Sequence, residues 1–123
     1  MDISRTIKVV LVGEVNTGKT SIINKLVGNT FDDKQPPTYE AKQILYKLGN
    51  VTFSIWDISG QEKFRKLNRV FYKGAEVVIF VYSITDRKSF EELDQYWYKE
   101  INNYCEYPSI LLFIIFSTLC SCK

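Results

Sequence analysis

Apolar positions recur along this chain with two different periods. Thr6–Val12 is a short, nearly continuous apolar run, which suits a buried strand. After a glycine-containing stretch, Ser21–Val27 places Ile22, Ile23 and Leu26 on one helical face, with Gly28 as a C-terminal stop. Residues 29–40 are polar and include Pro36 and Pro37, so they read as a loop. Residues 41–48 and Val51–Trp56 read as two strands, the second alternating with period two, and Gly49-Asn50 between them is a hairpin signal. Half of residues 62–73 are charged, with Phe64, Leu67 and Phe71 at spacings of three and four, which predicts a surface helix. Val77–Tyr82 is a continuous apolar run of the kind covered on both faces of a parallel sheet. Ser89-Phe90-Glu91-Glu92 reads as a capping box, and Phe90, Leu93, Trp97, Ile101 and Tyr104 continue on one helical face. Ser109–Phe116 begins as another buried strand.

The order is strand–helix, a hairpin, a helix, strand–helix, and a final strand. It predicts an α/β domain: a three-layer sandwich whose mostly parallel sheet carries one antiparallel edge strand. Right-handed crossovers put helices on both faces, and a ligand belongs at the C-terminal ends of the strands.

Composition narrows the chemistry. The 123 residues are enough for one domain. There is no histidine, which removes imidazole acid–base catalysis, Ser–His and Cys–His triads, and His-ligated zinc. A net charge of +2 gives no argument for nucleic acid or for an anionic membrane. The three cysteines, Cys105, Cys120 and Cys122, are odd in number and late in the chain, which fits a reducing cytosol better than a disulfide framework. Met1–Arg5 is too short and polar for a secretory signal, and no apolar run reaches the length of a membrane span.

The strongest chemical signal is Gly13-Glu14-Val15-Asn16-Thr17-Gly18-Lys19-Thr20, which fits G-x-x-x-x-G-K-[ST] between a strand and a helix. Glycine lets backbone N–H groups approach an anion, and the helix N-terminus adds partial positive charge. Lys19 can reach the outer phosphates, and the Thr20 hydroxyl suits a magnesium ion. A nucleoside triphosphatase also needs a carboxylate near the metal and a group that positions water. Asp57 ends the third strand, Gly60 has no side chain to block a terminal phosphate, and Gln61 carries both donor and acceptor. Alone, Asp57–Gly60 reads as a strand-ending turn and Thr38 as plain loop. Combined with the phosphate loop, they read as further phosphate and metal elements.

These residues resemble the Ras superfamily of small GTPases. The resemblance is carried by Gly13–Ser21, Pro37-Thr38, Trp56–Glu62, Phe71–Ala75, Val77–Tyr82, Thr85–Phe90 and Trp97, and it is nearest to the Rab branch. It implies a P-loop fold and a switch that binds GTP or GDP with magnesium, hydrolyses GTP and acts in vesicle or membrane traffic. The nucleotide residues it implies are Gly13, Glu14, Val15, Asn16, Thr17, Gly18, Lys19, Thr20, Ser21, Phe31 (against the base), Thr38 and Gly60. The metal ligands are Thr20, Thr38 and Asp57, and the catalytic residue is Gln61. The implied partners are an exchange factor, a GTPase-activating protein and effectors, meeting residues 31–40 and 58–73. A partner's arginine would supply transition-state charge, since neither the phosphate loop nor residues 31–40 contain one. The implied location is cytoplasmic, peripheral on intracellular membranes if lipidated.

Several positions depart from the family pattern. Tyr39-Glu40-Ala41 follows Thr38 where a Rab typically has Ile-Gly, and the step from Thr38 to Asp57 is only 19 residues. Ile58-Ser59 replaces the common Thr-Ala. The Asn-Lys-x-Asp motif expected after the fifth strand is replaced by Phe113–Lys123, which contains neither Asn nor an acidic residue. Residues 76–106 hold seven acidic residues and residues 107–123 hold none. This break suggests a partial small-GTPase domain over residues 1–112, a divergent apolar tail over 113–123 and a truncated product, with the uncovered fifth-strand edge an aggregation hazard. The alternative function is a catalytically defective fragment that binds phosphates weakly or serves only as an interaction surface. Cys120 and Cys122 invite a prenylation reading, but the polar middle positions and terminal Lys123 make a poor lipidation box.

Overall fold

Strand β1 (Arg5–Val12) occupies the centre of a five-stranded sheet of order β2-β3-β1-β4-β5. The computed structural model describes residues 4–14, 17, 19–26, 41–61, 64–106 and 110–116. β1 runs parallel to β3 (Val51–Asp57) on one side and to β4 (Val77–Ser83) on the other. β5 (Ile110–Phe116) extends the sheet in parallel beyond β4. β2 (Lys42–Leu48) pairs antiparallel with β3 and forms the edge. This is the α/β sheet expected from the sequence. The turn between β2 and β3 closes through Gly49 at φ 61, a left-handed value glycine adopts without steric cost.

The period-two alternation of β1 builds two cores. Val10 and Val12 pack with Val78, Phe80, Leu93, Trp97 and Ile101. Val9 and Leu11 pack with Ile23, Ile55 and Val81. Helix α1 (Lys19–Leu26) covers the second face. The first face is covered by a helical run made of α2 (Arg87–Glu92), a π turn (Leu93–Trp97) and α3 (Tyr98–Tyr104). Neither core could form without both layers, which is why the central strands read as nearly continuous apolar runs.

Three local expectations are corrected. Of the segment expected as a helix over 62–73, the described residues 64–73 form no α-helix; Leu67–Phe71 is a 3-10 helix set among turns. Three residues per turn, not 3.6, aligns Leu67 with Val70 on the outside, 65% and 72% exposed, while Asn68 and Tyr72 turn inward. The capping box is displaced as well. Asp86 is the N-cap, and its side chain accepts the Ser89 N–H. Ser89 lies inside the helix and is fully buried; its hydroxyl donates to the Asp86 carbonyl at 2.7 Å and accepts the Ser83 N–H at 3.0 Å. The helical stripe holds at Leu93, Trp97 and Ile101, which are buried, but Phe90 and Tyr104 are exposed. The π turn changes the facing of Phe90, which precedes it, relative to the residues after it; Tyr104, in the last turn of α3, lies under the Arg69 guanidinium at 4.1 Å. Phe90 packs instead on Tyr82, ring centroids 4.9 Å apart.

Candidate functional site: a phosphate loop at the end of β1

Where β1 ends, Gly13 takes φ +150, and a Cβ built there would lie 2.2 Å from the Val81 carbonyl oxygen of β4. Glycine is therefore required by close approach of two backbones. Lys19 opens α1 and folds back over the loop. Its ammonium donates to the Gly13 carbonyl at 2.9 Å, the Glu14 carbonyl at 2.7 Å and the Thr17 hydroxyl at 3.5 Å. The Thr17 hydroxyl in turn donates to the Glu14 carbonyl at 2.8 Å. A buried ammonium is tolerable only when its donors are satisfied, and these oxygens satisfy them. Burial still pushes Lys19 down to about 8, while the charges of Asp57 and Glu14 pull it back up.

Asp57 ends β3, opposite Leu11 in the parallel register, and is fully buried. The Ile58 N–H donates to the Leu11 carbonyl at 3.3 Å, so the chain leaving β3 stays against β1 as it passes the phosphate loop. This brings the carboxylate expected at the metal into the electrostatic reach of Lys19. Ser59 and Gly60 are buried and Gln61 is half-buried. The Ser59 hydroxyl accepts the Gln61 N–H at 3.2 Å, and the Ser59 carbonyl accepts the Asn68 amide at 2.8 Å. Residues 59–61 are thus fastened to the following 3-10 helix.

One constellation was not foreseen. The Glu14 carboxylate accepts Arg65 Nη2 at 2.6 Å and Trp97 Nε1 at 3.2 Å on the same oxygen, Oε1. Arg65 also stacks over the Tyr96 ring at 4.0 Å. The sequence carried one hint: a buried indole N–H needs an acceptor. Nothing in the spacing pointed to a partner 83 residues away.

Several expected site residues lie outside the described residues: Val15, Asn16, Gly18, Phe31 and Thr38, together with Cys120 and Cys122. Thr20 is placed in α1 by its backbone, and Ser21 follows it, half-buried. The described set of a buried lysine, a glycine that admits no side chain and one buried carboxylate fits a polyphosphate with magnesium. Among the described residues no group of three or more His, Cys, Asp or Glu could hold a metal by itself. Magnesium suits a single carboxylate, because phosphate, hydroxyl and water complete its shell.

Comparison with known proteins agrees with this geometry. The Ras family model matches residues 8–119. Ras-related protein Rab-7B of Dictyostelium discoideum is 41% identical over 63 residues, 51% of this chain and 32% of that protein. Ras-related protein Rab-21 of the same organism is 38% identical over 73 residues, 56% of this chain and 34% of the relative. Ras-related protein Rab-18 of Lymnaea stagnalis is 34% identical over 70 residues, 54% of this chain and 35% of the relative. The chain thus spans about a third of the length of the curated relatives it matches. With its phosphate loop, parallel sheet and buried Asp57 at the third strand's end, the chain belongs to the Ras family and is a Rab-like small GTPase.

Proposed function

We propose that this chain binds GTP and GDP with magnesium and hydrolyses GTP as a switch in intracellular vesicle or membrane traffic. The observation that carries this reading is the buried Lys19 ammonium on the Gly13 and Glu14 carbonyls with the buried Asp57 in its electrostatic neighbourhood. Gly13, Glu14, Val15, Asn16, Thr17, Gly18, Lys19, Thr20 and Ser21 would cradle the phosphates, with Gly60 at the terminal one and Phe31 against the base. Thr20, Thr38 and Asp57 would hold magnesium, which when bound neutralises charge on the phosphate oxygens. Gln61 would orient the attacking water through its amide. An exchange factor, a GTPase-activating protein and effectors would meet residues 31–40 and 58–73. Exposed Leu67 and Val70, beside the Trp56–Phe71 ring pair at 5.2 Å, support that surface. The location would be cytoplasmic, peripheral on intracellular membranes; among the described residues no helix is long and apolar enough to cross a membrane.

The experiment is nucleotide binding by the full chain, comparing GTP, ATP and inorganic tripolyphosphate with magnesium, followed by phosphate release. Tight, GTP-selective binding and release that is lost in Gln61→Leu support the proposal. Equal weak binding of all three would instead favour the phosphate-binding fragment. No binding at all would leave only an interaction surface.

A further inference from the structure

Glu14 works at both ends. Its carbonyl receives the Lys19 ammonium at 2.7 Å and the Thr17 hydroxyl at 2.8 Å. Its carboxylate receives Arg65 and Trp97. Trp97 is fully buried in the core against the sheet, so it is a fixed post. Arg65 is held by the Tyr96 ring at 4.0 Å, the Trp97 ring at 5.2 Å and Glu92 at 3.8 Å. The Glu14 and Arg65 side chains are each only 17% exposed, so this is a partly desolvated, multiply hydrogen-bonded pair and not a loose surface contact.

We propose that Glu14 is a positioning residue that couples the phosphate loop to the segment after β3: Arg65 and Trp97 fix its carboxylate, and that fixes the peptide carbonyl on which Lys19 rests. A loop peptide anchored by its own side chain loses less freedom when an anion arrives, which favours binding. Reciprocity follows: an anion in the loop strengthens the Glu14–Arg65 pair by the same factor by which the pair strengthens anion binding. The ligand half of this inference rests on the phosphate-binding reading above; the coupling itself does not.

The test therefore starts without ligand. Acylation of Lys19 by an activated ester is followed by mass spectrometry on the full chain, with exposed Lys25 as internal reference. In Arg65→Gln and Glu14→Gln the Lys19 rate is expected to rise on the order of tenfold relative to Lys25, with the double variant no faster than either single one. Arg65→Lys, which keeps the charge, is expected to recover part of the protection. Arg69→Gln breaks the neighbouring Arg69–Glu100 pair and serves as the control for general loosening; it should leave Lys19 protected. In a second arm, tripolyphosphate affinity should fall in Arg65→Gln by the factor seen in the acylation rate. The proposal is overturned if Arg65→Gln leaves the Lys19 rate unchanged, or if Arg69→Gln raises it equally. A wild-type chain that binds no nucleotide would defeat the proposed function, while the acylation arm still decides the coupling.

Discussion

The α-carbon of Gly13 faces the Val81 carbonyl so closely that a single added methyl would sit 2.2 Å from the oxygen. The contact is backbone on backbone, between the end of β1 and the middle of β4, so no side chain can swing away to relieve it. Gly13→Ala is expected to cost on the order of 3 kcal/mol or more, the range of severe backbone clashes. Gly49→Ala is the comparison: it has open space around it and only its φ of 61 to resent, so it should cost about 1 kcal/mol. Urea unfolding of the two variants separates the causes, and equal midpoints would contradict the packing argument.

Lys19 predicts how the site answers to pH. Its folded value is pushed down to about 8 from an ordinary 10.5, so between those pH values the unfolded chain binds the extra proton. The contribution of Lys19 to the stability of the ligand-free chain should therefore rise with pH across that window and be flat below it. An anion in the loop reverses the preference, because it favours the charged ammonium. Polyphosphate affinity should hold constant below pH 8 and fall above it, by up to about tenfold per pH unit. Titration calorimetry with tripolyphosphate from pH 7 to 10 checks this against Lys19→Arg, in which the fall above pH 8 should disappear and only the ligand's own titration remain.

Trp97 combines core packing with a polar contact, and two substitutions divide them. Trp97→Phe keeps most of the ring and loses the bond to Glu14, at an expected cost of about 1–3 kcal/mol. Trp97→Ala also opens a cavity among Val10, Phe80 and Leu93, raising the cost to roughly 3–5 kcal/mol. Unfolding in denaturant measures both; a Phe variant as stable as wild type would mean the indole N–H contributes nothing.

Arg69 and Glu100 are joined by two hydrogen bonds, 2.6 and 3.4 Å, but sit in unequal surroundings: Glu100 is 6% exposed and Arg69 35%. Removing the arginine strands a buried carboxylate, whereas removing the carboxylate leaves a cation that reaches water. Arg69→Gln should therefore destabilise the chain more than Glu100→Gln does. Comparison of their denaturant midpoints decides it.

Asn68 is a buried amide in the 3-10 helix and holds the Ser59 carbonyl two residues before Gln61. Asn68→Ala should cost about 1–2 kcal/mol and raise hydrogen exchange at residues 59–61, because the carbonyl loses its buried donor. Unchanged exchange there would show that the 3-10 helix does not fasten this strand exit.

What the sequence determined by itself is what depends on short-range pattern. The strands of β1 and β4, the Gly49-Asn50 hairpin and the placing of Gly13 and Lys19 between β1 and α1 each need only neighbouring residues, through side-chain alternation, turn chemistry and a glycine-lysine spacing. The position of Asp57 followed too, because a parallel strand next to β1 must end beside the loop that β1 feeds. Tertiary structure decided the rest. The 62–73 segment had helical spacing, but in its described part the buried Asn68 goes with a 3-10 helix at Leu67–Phe71 and not with an α-helix. Asp86, three residues upstream, took the cap because Ser89 was needed to tie the helix to Ser83. The Glu14–Arg65–Trp97 contact joins residues far apart in the chain, and only the packing of α2, the π turn and α3 against β1 and β4 brings them within hydrogen-bond reach.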